Sequence, residues 1–125
     1  MKRVAASSRL PKPMGPYSQI VESGGFLFLS GQIALEPSDD KVVDGGVAVQ
    51  TRTILSAVRD ALEERGIGMG HVVRVTAYLV DADDFGAFNT VYAGYFSDAP
   101  PARTTVFVSA LPKGARVELD IIAHA

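Results

Sequence analysis

The chain has 125 residues, 47% of them hydrophobic, a formal charge of −2 and no cysteine. That length suits a single domain spanning residues 1–125, with enough apolar material for a core without staples. The missing cysteine excludes disulfides, thiol nucleophiles and thiolate metal sites, and the mild acidity argues against nucleic acid as a main partner, because neutralised phosphates supply most of such binding.

Residues 1–13 read as an extended arm, since Pro11 and Pro13 block helix and bias their neighbours to extended backbone. Lys2 and Arg3 have no apolar run behind them, so the arm is not a signal peptide. No stretch approaches the ~20 apolar residues of a membrane span, so the cytoplasm is the expected location and no membrane partner is expected. Tyr17–Glu22 and Phe26–Ser30 are β-prone runs around Ser23-Gly24-Gly25, a hairpin signal because glycine accepts the positive φ of tight turns. Residues 36–46 are polar and turn-rich. From Val47 to Arg65, Val47, Thr51, Ile54, Val58 and Ala61 recur at helical spacing, with Leu55 and Leu62 widening the stripe and Gln50, Arg52, Arg59, Asp60 and Glu63 outside it. Arg65-Gly66 ends that helix.

Val72–Val80 predicts a strand with Val73, Val75, Ala77 and Leu79 on one face and Val72, Arg74, Thr76, Tyr78 and Val80 on the other. Asp81, Asp83 and Asp84 are cap candidates for a helix from about Asp83 to Phe96, striped by Phe85, Phe88, Tyr92 and Tyr95. Pro100 and Pro101 break the chain. Strands follow at Thr104–Ser109 and Arg116–Ala123, joined by the Leu111-Pro112-Lys113-Gly114 turn. The expectation is an α+β fold in the order ββαβαββ, a mixed sheet with two helices on one face. The other face would carry Val72, Tyr78, Val80 and Ile122, a patch that self-association would cover, or else loops and the N-terminal arm in a monomer.

Several patterns point away from familiar chemistries. His71 and His124 stand far apart with no carboxylate at ligand spacing, so no metal is expected. Gly66-x-Gly68-x-Gly70 follows a helix, whereas anion loops precede one. The aspartates around Asp83 lack the glycine and distal glutamate of a calcium loop. No serine has a histidine partner or a G-x-S-x-G setting.

Two residues stand out. Arg103, just after the proline break, can grip a carboxylate with two parallel hydrogen bonds. Glu118 lies mid-strand on the face the helices leave bare. If their strands pair through the short turn, the two come together as an acid anchor beside a proton-transfer group; a cross-strand salt bridge is the alternative. Gly15-Pro16-Tyr17-Ser18-Gln19 and Ser30-Gly31-Gln32 sit at strand edges where glycine permits close approach of a ligand or of backbone.

These pieces form an ordered set: Gly15–Gln19, Ser30–Ile33, Gln50-Thr51, Asp84-Phe85 with Asn89-x-x-Tyr92, Pro101–Val106, and Leu111–Ala115 with Val117-Glu118. The set resembles the RidA/YjgF (Rid) family over about residues 9–123. The resemblance implies a chorismate-mutase-like fold and a homotrimer whose sheets form a central barrel with three inter-subunit clefts. It implies hydrolysis of 2-imino acids and their enamine tautomers (2-aminoacrylate, 2-iminopropanoate, 2-iminobutanoate) to 2-keto acids and ammonia, without cofactor. By position, Arg103 would hold the substrate carboxylate and Glu118 would handle water and protons. Tyr17, Ser30, Gly31 and Asn89 would line the cleft, with Thr105 where many relatives carry cysteine. A Rid enzyme for another small substrate, or a non-catalytic small-acid binding module, are the other readings.

Overall fold

The computed structural model describes residues 1–37 and 40–125. Its elements are β1 (Arg3–Ala5), β2 (Ile20–Ser23), β3 (Phe26–Gln32), α1 (Val47–Glu64), β4 (Val72–Leu79), α2 (Phe85–Tyr95), β5 (Ala102–Phe107) and β6 (Val117–His124). Among the described residues the strands form one sheet in the order β1-β2-β3-β6-β4-β5. The β4–β5 pair is parallel and every other pair antiparallel. The arm is thus partly a strand: Arg3–Ala5 pairs with β2 and adds an edge strand to the expected order.

The alternation in β6 explains its central place. Val117, Leu119, Ile121 and Ala123 are buried, and Glu118, Asp120 and Ile122 between them are only half-buried. On the buried side they meet α1, whose Val47, Thr51, Ile54, Leu55, Val58, Ala61 and Leu62 are all buried. This helix ends in a Schellman motif: Gly66, at φ 79°, donates to the Glu63 carbonyl, and the Ile67 amide donates to Leu62. Gln50 departs from its expected place outside the stripe. It is 3% exposed, and its side-chain oxygen accepts from the Arg116 amide at 2.9 Å, tying α1 to the start of β6.

Two β-bulges re-aim side chains. Between Val72 and Arg74 the register slips, so Val72 turns into the core at 4% exposure while Val73 is left 42% exposed. This reverses the expected faces for both residues. The bare face therefore carries Phe26, Phe28, Tyr78 and Ile122 rather than Val72. In β3, Leu29 pairs Ile121 and Gln32 pairs Leu119, so Ser30 and Gly31 together oppose Asp120.

The expected pairing of β5 with β6 does not occur; β4 lies between them. The connection is short enough for a hairpin, but the β4–α2–β5 crossover places β5 parallel to β4 at the sheet edge. That leaves β6 to pair on the other side of β4. The turn aspartates have structural work: Asp81 accepts from the Asp83 amide at 2.9 Å, and Arg116 grips Asp84 at 2.7 Å. No helix among the described residues is long and apolar enough to cross a membrane.

Candidate active site

Strand register decides where the two key residues face. Glu118 pairs with Tyr78 on the bare face of the sheet. Arg103 pairs with Val75, a fully buried core residue, and so faces the helices. Cross-strand partners share a face, and alternation puts these two on opposite ones. One chain therefore does not bring Arg103 and Glu118 together, and the intramolecular salt bridge is excluded with it. The candidate residues fall into two half-sites.

The first half-site is a cavity of about 490 Å³ lined by Met14, Tyr17, Ser30, Gly31, Ile33, Pro112, Lys113 and Glu118. Backbone devices build it. Glycine at position 31 leaves room for the Glu118 carboxylate: a Cβ there would collide with its oxygen and lie 3.0 Å from its Cδ, forcing the carboxylate to move. Ser30 Oγ donates to the Ser18 carbonyl at 2.6 Å, and the Met14 amide donates to the Tyr17 hydroxyl at 3.1 Å. Lys113 caps the rim from a left-handed backbone at φ 58°. The Glu118 carboxylate makes no hydrogen bond or ion pair among the described residues. Burial raises its pKa above the usual carboxylate range, and the like charge of Asp120 adds to the rise. Asp120 in turn accepts from the Tyr78 hydroxyl at 2.9 Å.

The second half-site holds Arg103, Thr105 and Asn89. Thr105 pairs with Ala77 and Phe107 with Leu79, so both share the face of Arg103. Asn89, half-buried on α2, is one turn from Phe85, whose ring lies 6.1 Å from that of Phe107. The Arg103 guanidinium lies over α2 rings rather than against an acid. Two hydroxyls here, Tyr92 Oη and Thr105 Oγ1, are buried without a hydrogen-bond partner among the described residues.

Of the seven residues singled out in the sequence, Tyr17, Ser30, Gly31 and Glu118 thus gather in one half-site and Asn89, Arg103 and Thr105 in the other. Sequence reasoning passed over Met14, Ile33, Pro112 and Lys113 as cleft walls. The strained Lys113-Gly114 pair after a proline was the signal for the rim; Met14 and Ile33 carry none.

The family model described as Endoribonuclease L-PSP matches residues 7–125. The chain belongs to this family, that of the Rid (YjgF/RidA) proteins. A RutC family protein of Pyrococcus horikoshii is 44% identical over 124 residues, spanning 99% of this chain and 98% of the relative. The mouse 2-iminobutanoate/2-iminopropanoate deaminase is 37% identical over 123 residues, 98% of this chain and 91% of that one. Among solved structures, YyfA, a Rid-family protein of Yersinia pestis, superposes with a TM-score of 0.93 at 36% identity over 100% of both chains. The mixed sheet with both helices on one face is accordingly the chorismate-mutase-like arrangement of Rid proteins.

Proposed function

We propose that this Rid protein hydrolyses reactive 2-imino acids and their enamine tautomers, and that each active site forms between two copies of the chain in a cytoplasmic homotrimer. The observation that carries the reading is the division of the site. An unpaired carboxylate with a raised pKa lies on one face of the sheet, and an unpaired guanidinium on the other. Neither has its counterpart among the described residues of its own chain. A closed ring in which the bare faces turn inward buries Phe26, Phe28 and Ile122 and lets the cavity around Glu118 meet a neighbour's Arg103 edge. The 37% identity to an imine deaminase supports the substrate class.

In that cleft Arg103 grips the substrate carboxylate through its fork. Glu118, ionised, takes a proton from water as the oxygen bonds to the imine carbon. It returns that proton to nitrogen to give a carbinolamine, then takes the hydroxyl proton and delivers it to the same nitrogen as the carbon–nitrogen bond breaks, leaving a 2-keto acid and ammonia. For 2-aminoacrylate the protonated carboxyl first delivers a proton to the terminal carbon, producing the imine. A carboxyl whose pKa is raised by burial holds its proton more readily than an exposed one, which suits both directions of transfer. Tyr17, Ser30 and Gly31 shape the water side, and Asn89 and Thr105 the side-chain end. An imine carbon is already electrophilic, so orientation and proton transfer carry most of the catalysis, with no cofactor or metal required.

The test generates 2-aminoacrylate from serine with a dehydratase and follows decay of the imine signal. Parent protein accelerates the decay; Arg103→Ala and Glu118→Ala, each alone, do not. When the two inactive variants are unfolded together and reassembled, about a quarter of parent activity returns, because about one in four random neighbour pairs keeps both groups. Activity that never returns on mixing would overturn the shared site. No acceleration by folded parent would leave a binding module or a Rid enzyme for another small substrate.

A further inference from the structure

Arg3, Arg9, Arg59, Arg65 and Arg116 each hold a carboxylate. Among the described residues Arg52, Arg74 and Arg103 are the arginines that hold no carboxylate, and of these three only Arg103 lies over aromatic rings. Its guanidinium carbon lies 4.7 Å from the centre of the Tyr92 ring, 5.3 Å from Phe88 and 5.8 Å from Phe85. Positions 85, 88 and 92 share one face of α2, so the three rings stand side by side under one side chain. The core fixes two of them: Phe88 is fully buried and Tyr92 is 6% exposed. Behind them the stack continues, Phe88 to Tyr92 at 5.4 Å and Tyr92 to Phe96 at 4.7 Å.

We propose that Phe85, Phe88 and Tyr92 form an aromatic cradle that positions Arg103 as a preorganised receptor for the substrate carboxylate; this rests on the deaminase reading above. A ring attracts the cation through its quadrupole and consumes none of the N–H donors. An acidic partner would hold the guanidinium just as firmly but would occupy the fork that the ligand needs. The flat guanidinium can lie against rings and still present its edge, which a lysine ammonium cannot do. The Tyr92 hydroxyl fits the same design. It is buried without a partner among the described residues, and burial raises its pKa although Arg103 works against the rise. The phenol therefore stays neutral and never becomes a competing anion. The three aromatic residues are positioning residues, acting through Arg103.

The experiment titrates the assembled protein with pyruvate, the keto acid of the proposed reaction, and with its neutral amide. Parent, Tyr92→Leu, Tyr92→Phe and Phe85→Leu are compared by calorimetry or NMR. Tyr92→Leu should weaken pyruvate binding about five- to thirtyfold and Phe85→Leu about two- to fivefold. Tyr92→Phe, which keeps the ring, should restore binding to within about twofold of the parent. The amide should bind all four proteins alike. Parent-like pyruvate affinity in both leucine variants would overturn the cradle alone, as would equal weakening of acid and amide, which reports general damage to the cleft. Phe85 is 37% exposed, so its variant decides the matter if Tyr92→Leu does not fold. Parent protein that binds no pyruvate would instead sink the carboxylate role of Arg103, and the cradle with it.

Discussion

The two faces of the sheet are built on opposite principles. The helix-covered face is finished within the chain: Val75, Ala77, Leu79, Leu119 and Ile121 are shut beneath α1 and α2. The other face is unfinished, with Phe26 and Phe28 about two-fifths exposed beside the polar pairs Tyr78–Asp120 and Arg74–Thr104. The two half-sites follow the same division. Arg103 is held by aromatic packing that belongs to the core. Glu118 is held by a bulge, a glycine and a turn on the open side. Core packing tolerates conservative exchange of apolar groups better than a backbone device tolerates an added atom.

This contrast can be broken from the open side first. In the proposed trimer Phe28→Asp places a charge where the bare faces would meet; the chain should then sediment as a folded monomer and lose the proposed deaminase activity, because the half-sites could no longer meet. Glu118→Gln leaves the assembly intact and should lower turnover about 10²- to 10⁴-fold, the usual contribution of a positioned proton-transfer group. Gly31→Ala pushes the Glu118 carboxylate aside by about an ångström and should reduce turnover up to about a hundredfold, with little change in sedimentation.

The smallest effect sharpens the comparison through pH. The folded-state pKa of Glu118 is raised by burial and then by Asp120. Below the unfolded pKa the carboxyl is protonated in both states and its burial carries no penalty. As pH rises through the folded pKa, the native state must hold a charge it disfavours, and that stability is lost. Glu118→Gln should therefore melt with the parent near pH 4 and above it at pH 7, where thermal unfolding reads the difference. Equal melting at both pH values would mean that the carboxylate is well solvated in the assembly.

Much of this architecture was legible in the sequence. The period-two pattern of β6 and the α1 stripe marked the buried faces, and Glu118 stood out as a mid-strand carboxylate between the apolar Val117 and Leu119. The failures have specific causes. Val72 and Val73 are chemically identical, so nothing in their composition reports the bulge that exchanges their faces, and a one-residue slip inverts a strand. The strand order was hidden because β6 enters between β4 and β3, a pairing settled by distant segments rather than by the short loop after β5. From that error followed the expectation that Arg103 and Glu118 meet inside one chain. Gln50 looked like a surface residue because its burial depends on a single backbone amide, that of Arg116, far along the chain.

Gln19 has a consequence for anyone handling the protein. Its amide donates to the Leu10 and Pro11 carbonyls at 3.2 and 2.7 Å and accepts from the Ser7 amide at 2.7 Å, while Ser7 and Arg9 both reach Glu64 on α1. The arm is thus a tether clamped midway, with Met14 and Tyr17 on its downstream side forming a cleft wall. A tag fused ahead of Arg3 pulls only on the free end and leaves the wall alone. Proteolytic trimming past Arg9 unclips the tether, and the cleft loses a wall although no cleft residue has been cut.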